Sequence, residues 1–159
     1  RNFFRTEKTK NDFNVIKSVD NAINILKPQL DNHNINIKFK GEDFLTNGIE
    51  NELQQVILNL VNNARDAILD NNIEHGQIII DISKKNEFGT ISIEDNAGGI
   101  PDDIIDRIFE PYYTTKEEGK GTGLGLYMSD MIIKETMNGK LSTKNTDNGA
   151  KFTISLALI

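Results

Sequence analysis

The sequence predicts an α/β sandwich in which a mixed sheet is covered by helices on one face. Three observations carry that expectation. Apolar residues recur at helical spacing in two long segments and one shorter one. Several short runs alternate apolar and polar residues, as half-buried strands do. Most of these runs come in pairs joined by hairpin signals, with helical segments interleaved between the pairs.

The elements follow in order. Residues 1–13, RNFFRTEKTKNDF, are polar and charged with three phenylalanines, and are expected to be a linker or the tail of a preceding helix. Residues 14–30 place Val15, Val19, Ala22, Ile23 and Leu26 on one helical face. A polar turn, Asp31 to Asn34, leads to an alternating strand, INIKFK, at 35–40, and Gly41 to Gly48 is expected to be a loop. The strongest helix is 49–71, where Leu53, Val56, Ile57, Leu60, Ala64, Ala67 and Ile68 form one apolar stripe. QIIIDIS at 77–83 and GTISIED at 89–95 read as a hairpin around NEFG. Pro101 suits the first turn of a short helix over 101–108. Residues 109–123 hold three of the twelve glycines without periodicity, and a loop of that length in a small domain is usually functional or mobile. A second apolar helix, 124–137, ends at Asn138-Gly139. KLSTKN and AKFTISLAL then close the chain as a hairpin around Asp147-Asn148-Gly149.

Bulk properties narrow the function classes. A chain of 159 residues suits one domain and buries roughly 70% of its unfolded surface without a staple. It has no cysteine, which excludes thiol catalysis and cysteine-zinc sites, and its two histidines, His33 and His75, stand apart. The net charge of −6 argues against sequence-independent nucleic-acid binding and against attraction to acidic membranes. No apolar run approaches the ~20 residues of a membrane helix, and no signal-peptide pattern occurs. The chain begins at an arginine and is expected to be a piece of a longer protein.

Three clusters carry chemistry. Asn59 and Asn63 lie four apart on the helix 49–71, beside its apolar stripe. Asparagine is a mediocre helix former, so the pair serves either to bond a neighbouring loop or to offer amide oxygens to a ligand such as octahedral Mg²⁺. In EDNAGGI, 94–100, Asp95 ends a strand and Gly98-Gly99 permit close backbone approach. That acid either forms an Asx-turn or accepts a hydrogen bond from the exocyclic amine of a base. In GKGTGLGL, 119–126, glycines alternate before a helix, as a hinge or as an anion-binding loop. Neither the P-loop nor the Rossmann spacing is matched.

The order of these clusters resembles the ATP-binding catalytic domain of sensor histidine kinases, which share a superfamily with the DNA gyrase, heat-shock chaperone and mismatch-repair ATPases. The N box is matched by QQVILNLVNNARDA (54–67), the first glycine box by DNAGGI (95–100), the F box by IFEPYYTTK (108–116) and the second glycine box by GTGLGL (121–126). The resemblance covers roughly residues 14–159. It implies a Bergerat-type two-layer α/β sandwich with a mixed, mostly antiparallel sheet and a flexible ATP lid at 109–123.

By the same resemblance, Asp95 receives the adenine amino group, with Gly98, Gly99 and Ile100 making room for the purine. Asn63 is the Mg²⁺ ligand, and Asn59 supports the metal's water shell or the phosphates. Gly121, Thr122, Gly123, Leu124 and Gly125 wrap the phosphates. Phe109 anchors the lid, with Thr114 and Thr115 beside Lys116, the lid cation for the γ-phosphate. Many histidine kinases carry an arginine nearer the position of Thr114. Asn59 stands where the gyrase and mismatch-repair ATPases carry a general-base glutamate. An amide cannot take the proton, so poor hydrolysis is expected. Phosphoryl transfer to a histidine, which needs no strong base, is the expected reaction, with Asn59 and Lys116 as the catalytic pair.

His33 and His75 lie in turns, so the phosphoacceptor is expected on a separate dimerisation domain of a homodimeric parent, and this chain alone is not expected to autophosphorylate. The onward acceptor is expected to be a response-regulator receiver domain. No nucleic acid and no membrane contact are expected of this chain, which is placed in the cytoplasm, whether the parent is soluble or membrane-anchored. The alternatives are a self-contained ATPase and a serine kinase of the anti-sigma-factor type from the same superfamily.

Overall fold

The computed structural model describes residues 9–114 and 123–159. The chain opens with β1 (Asn11–Asn14) and runs directly into α1 (Val15–Asn32). Asn14 caps α1 without a side-chain bond. Instead the Asp43 carboxylate, from a distant loop, accepts the Ile16 N–H at 3.0 Å, so one orphan amide of the first turn is satisfied from outside. Val15, Ser18, Val19, Ala22, Leu26 and Leu30 are the buried side of α1.

β2 (Asn36–Gly41) and β3 (Leu45–Gly48) follow, then α2 (Glu50–Asp70), whose buried positions repeat at three and four residues from Leu53 to Ile68. β4 (Gln77–Lys85) and β5 (Phe88–Asp95) form a hairpin. A four-residue helix, α3 (Asp102–Ile105), is followed across the cleft by α4 (Gly125–Met131), which continues as a π-helical segment over Ile132–Thr136. β6 (Lys140–Asn145) and β7 (Ala150–Ala157) complete the chain.

The five-stranded sheet has the order β2-β4-β5-β7-β6. β2 pairs with β4 in parallel, and the other three pairings are antiparallel, so the sheet is mixed and mostly antiparallel. Strand alternation sorts its faces. Ile78, Ile80, Ile82, Ile91, Ile93, Ile154 and Leu156 are each at most 1% exposed and pack with Leu53, Ile57, Leu60 and Ile133 from the helices. Asp81, Ser92 and Thr153, on the opposite face, stay partly exposed. No described helix is long and apolar enough to cross a membrane.

Three local expectations change. Leu45–Gly48, expected within a loop, pairs antiparallel with Asn11–Asn14, most of which was expected within a linker. The ribbon is held by remote partners: the Thr46 hydroxyl donates to the Ala157 carbonyl at 2.8 Å, and the Ile159 N–H donates to Leu45 O at 3.2 Å. Four-residue strands without an apolar run leave little local signal. The helix expected over 101–108 is α-helical only at Asp102–Ile105 and continues as turns, because Ile104, Ile105 and Ile108 are only half-buried and give it no deep face to pack. The helix expected over 124–137 is α-helical only as far as Met131. The wider π turn that follows is closed where the Gly139 N–H donates to Ile133 O at 2.8 Å.

Candidate functional site

A cleft of about 710 Å³ opens between α2, the carboxyl end of β5, the start of β7, the segment from Pro101 to Thr114 and the start of α4. Its volume is in the range that holds a ligand of nucleotide size. α2 contributes Asn59, Asn63, Asp66 and Ala67 to one wall, the face beside its buried stripe. Across from it stand Asp95, Gly99 and Ile100, and Ile104, Ile108 and Tyr113 form an apolar side.

Asp95 is 7% exposed, at the last position of β5. Its Oδ1 accepts two backbone N–H bonds, from Ala97 at 2.9 Å and Ala150 at 3.3 Å. Both bonds fall on one oxygen, so Oδ2 has no partner among the described residues. Burial raises the carboxyl pKa above the ordinary aspartate value, the two backbone N–H groups pull it back, and neighbouring Glu94 raises it further.

The loop after Asp95 is pinned from every side. The Asn145 amide bonds Ile100 in both directions, its Oδ1 accepting the Ile100 N–H at 2.8 Å and its Nδ2 donating to Ile100 O at 2.7 Å. Asn71 Nδ2 donates to Ala97 O at 2.9 Å, and Gly98 N–H donates to Asn148 O at 2.8 Å. Asn96 turns outward to accept the Gln77 N–H and to donate to His75 O. Gly98 and Gly99 have φ of 96° and 87°, a region in which other residues are strained. At Gly99 an added Cβ would also lie 3.1 Å from Asn145 Oδ1.

On the α2 wall, Asn59 Nδ2 donates to the Ser129 hydroxyl of α4 at 3.0 Å. Asn63 makes no side-chain hydrogen bond among the described residues. Arg65 binds Asp66 through Nε at 3.2 Å and Nη2 at 3.0 Å, and its third nitrogen reaches Gln29 of α1 at 2.7 Å. Arg107 stacks over the Tyr113 ring, 4.4 Å from its centre. No lysine or arginine is among the described residues lining the cleft.

The cleft therefore gathers Asn59, Asn63, Asp95, Gly99, Ile100, Thr114, Gly123 and Gly125 from the sequence-derived set. Gly98 is exposed beside the cleft rather than in its lining, and Leu124 caps α4. Phe109 also stands back from the lining and packs edge-on against Phe152, centroids 6.2 Å apart. Thr115, Lys116, Gly121 and Thr122 lie outside the described residues, as does most of the expected lid. Sequence reasoning missed Asn71, Asn145, Ser129 and Ala150, which hold or line the site through partners remote in sequence. The Asn-Gly turn at 148–149 was legible only as a turn.

Residues 48–159 match the family described as histidine kinase-, DNA gyrase B- and HSP90-like ATPases. The chain belongs to that family. It is 36% identical over 151 residues to the two-component sensor PprA of Pseudomonas aeruginosa, covering 92% of this chain and 16% of that protein. Among solved structures it is similar to the nucleotide-free catalytic domain of histidine kinase ThkA, with 28% identity, a TM-score of 0.84, and coverage of 94% of this chain and 96% of that one. A solved complex of ThkA with the response regulator protein TrrA matches at 25% identity and a TM-score of 0.78, over 94% of this chain and 42% of that one. The chain spans 12% to 23% of the length of the first three curated relatives it matches. Fold, boxes and relatives agree: this is an ATP-binding catalytic domain of the sensor histidine kinase type.

Proposed function

We propose that the cleft binds ATP with its adenine on Asp95 and its phosphates toward Asn63 and the Gly123–Gly125 turn, and that the parent protein transfers the γ-phosphoryl group to a histidine on a dimerisation domain. The observation that carries this reading is the cleft itself, which sets a buried carboxylate with one open oxygen across from an asparagine wall. An exocyclic amine donates well to such an oxygen, and the fixed loop 96–100 excludes water from the base.

The donor set suits Mg²⁺. Asn63 offers a hard, neutral amide oxygen that no described residue occupies, and no cluster of three acidic or histidine side chains stands among the described residues. Magnesium keeps most of its ligands as water and phosphate oxygens, so one amide is the protein contribution it needs. Bound there, it would neutralise charge on the phosphates. Lys116 remains the proposed lid cation. Asn59 cannot act as a general base, which favours transfer to an imidazole over transfer to water. The ThkA–TrrA complex supports a receiver domain as the onward acceptor. The parent is proposed to be a homodimer that holds this domain in the cytoplasm, whether or not it is membrane-anchored.

Calorimetric titration with a non-hydrolysable ATP analogue, with and without Mg²⁺ and with the GTP analogue as control, tests the site. Adenine-selective binding that Mg²⁺ strengthens is expected, and Asn63→Ala should remove the Mg²⁺ gain while leaving metal-free affinity nearly intact. Absence of binding, or equal binding of both bases, would overturn the reading. A turnover assay separates it from a self-contained ATPase, and an added histidine-bearing dimerisation domain separates it from a serine kinase.

A further inference from the structure

The carboxamide of Asn71 has its orientation settled by its partner. Its Nδ2 lies 2.9 Å from Ala97 O. A backbone carbonyl only accepts, so the NH₂ must be the end that faces it, and Oδ1 is the other end of the amide. None of the described residues donates to that oxygen. The backbone N–H of Asn71 is spent within the helix, on Ala67 O at 3.0 Å. Asn71 caps the C-terminus of α2 and lines the cleft.

Ala97 joins this amide to the buried acid. It is 3% exposed, and its N–H donates to Asp95 Oδ1 at 2.9 Å while its carbonyl receives Asn71. One buried residue thus ties down two side chains, each with an oxygen that no described residue occupies: Oδ2 of Asp95 and Oδ1 of Asn71. An exocyclic amine carries two hydrogens, and one acceptor takes one of them. The C-terminal end of α2 is also the negative end of its dipole, which favours a donor there.

We propose that Asn71 is a specificity-determining residue for a 6-aminopurine, its Oδ1 accepting the second hydrogen of the exocyclic amine whose first goes to Asp95. The proposal rests on the nucleotide-site reading above and deepens it. Asn71 then has two separable jobs. Its NH₂ holds the loop at Ala97, and its oxygen reads the base.

The test is calorimetry on this chain with the ATP analogue and with its purine counterpart lacking the 6-amino group, for wild type, Asn71→Ala and Asn71→Asp. The ratio of the two affinities is the amine preference. Asn71→Ala loosens the loop and should weaken both ligands, but should also cut the preference about two- to tenfold, the scale of one neutral hydrogen bond. Asn71→Asp keeps an acceptor and loses the bond to Ala97 O, so affinity should fall while the preference stays. An unchanged preference in Asn71→Ala, or its loss in Asn71→Asp as well, would reduce Asn71 to a loop support and overturn the proposal. So would a GTP analogue weakened more by Asn71→Ala than the ATP analogue, since that would show the second N–H, not the oxygen, facing the base. Wild type that binds neither ligand would overturn the nucleotide reading itself, and wild type that binds both alike would overturn base reading by the amine. A wild-type preference that Asn71→Ala leaves intact would overturn only the role of Asn71.

Discussion

Asp95 is an acid placed where an acid is expensive. Burial disfavours its charge, and two backbone N–H groups on one oxygen only partly offset that cost. Because its folded pKa is raised, the native state holds the proton more tightly than the unfolded chain. The ionised carboxylate therefore costs stability. That cost is absent below the unfolded value and grows as pH rises through the window between the two. An adenine amino group donating to Oδ2 stabilises the ionised form, so nucleotide binding in that window should release a proton. Affinity should fall as pH drops from neutral toward the raised pKa, and calorimetry in buffers of different ionisation heat reads the proton directly. Asp95→Asn should weaken adenine binding by about 1.5–3 kcal/mol and abolish the proton release. If the variant binds ATP and GTP analogues as wild type does, the carboxylate does not read the base.

At the scale of elements, the site is a junction. α2 supplies one wall, and the β6–β7 turn holds the loop of the other through the two-way bond between Asn145 and Ile100. The turn thus acts on the proposed base end of the cleft without lining it. Asn145→Ala should speed amide exchange at Ile100 and weaken adenosine, ADP and ATP-analogue binding by a common factor of about 3 to 10. A loss confined to the triphosphate would show that the turn acts on the phosphate end instead. α2 itself was readable from sequence because its stripe and its two asparagines obey one helical period. β1 and β3 were not, since each has four residues and its hydrogen bonds go to strands elsewhere in the chain.

For the whole molecule, one apolar layer does the holding. Ile93 is 1% exposed at the centre of the sheet, opposite Ile80 on one side and Phe152 on the other. Ile93→Ala should cost about 2–5 kcal/mol in urea unfolding, from lost transfer energy and the cavity left behind. The same strand ends two residues later at Asp95, so the core also places the carboxylate proposed to read the base. A saturating ATP analogue should restore part of the lost stability in proportion to the logarithm of its concentration. An analogue that leaves the unfolding midpoint unchanged would contradict binding to the folded state.

The sequence by itself determined the layers and named the candidates for the site. Periods of two and of about 3.6 residues assigned the main strands and helices, and short-range chemistry singled out Asn59, Asn63, Asp95 and the glycine pair. Tertiary structure alone decided what orients them. Ser129 meets Asn59 across 70 residues, Asn145 meets Ile100 across 45, and Asn71 meets Ala97 across 26. A serine or asparagine in a helix or at a strand end carries no local sign of such a partner. Hydrogen-bond geometry depends on where the folded core sets two distant segments, and no periodicity within either segment encodes that distance.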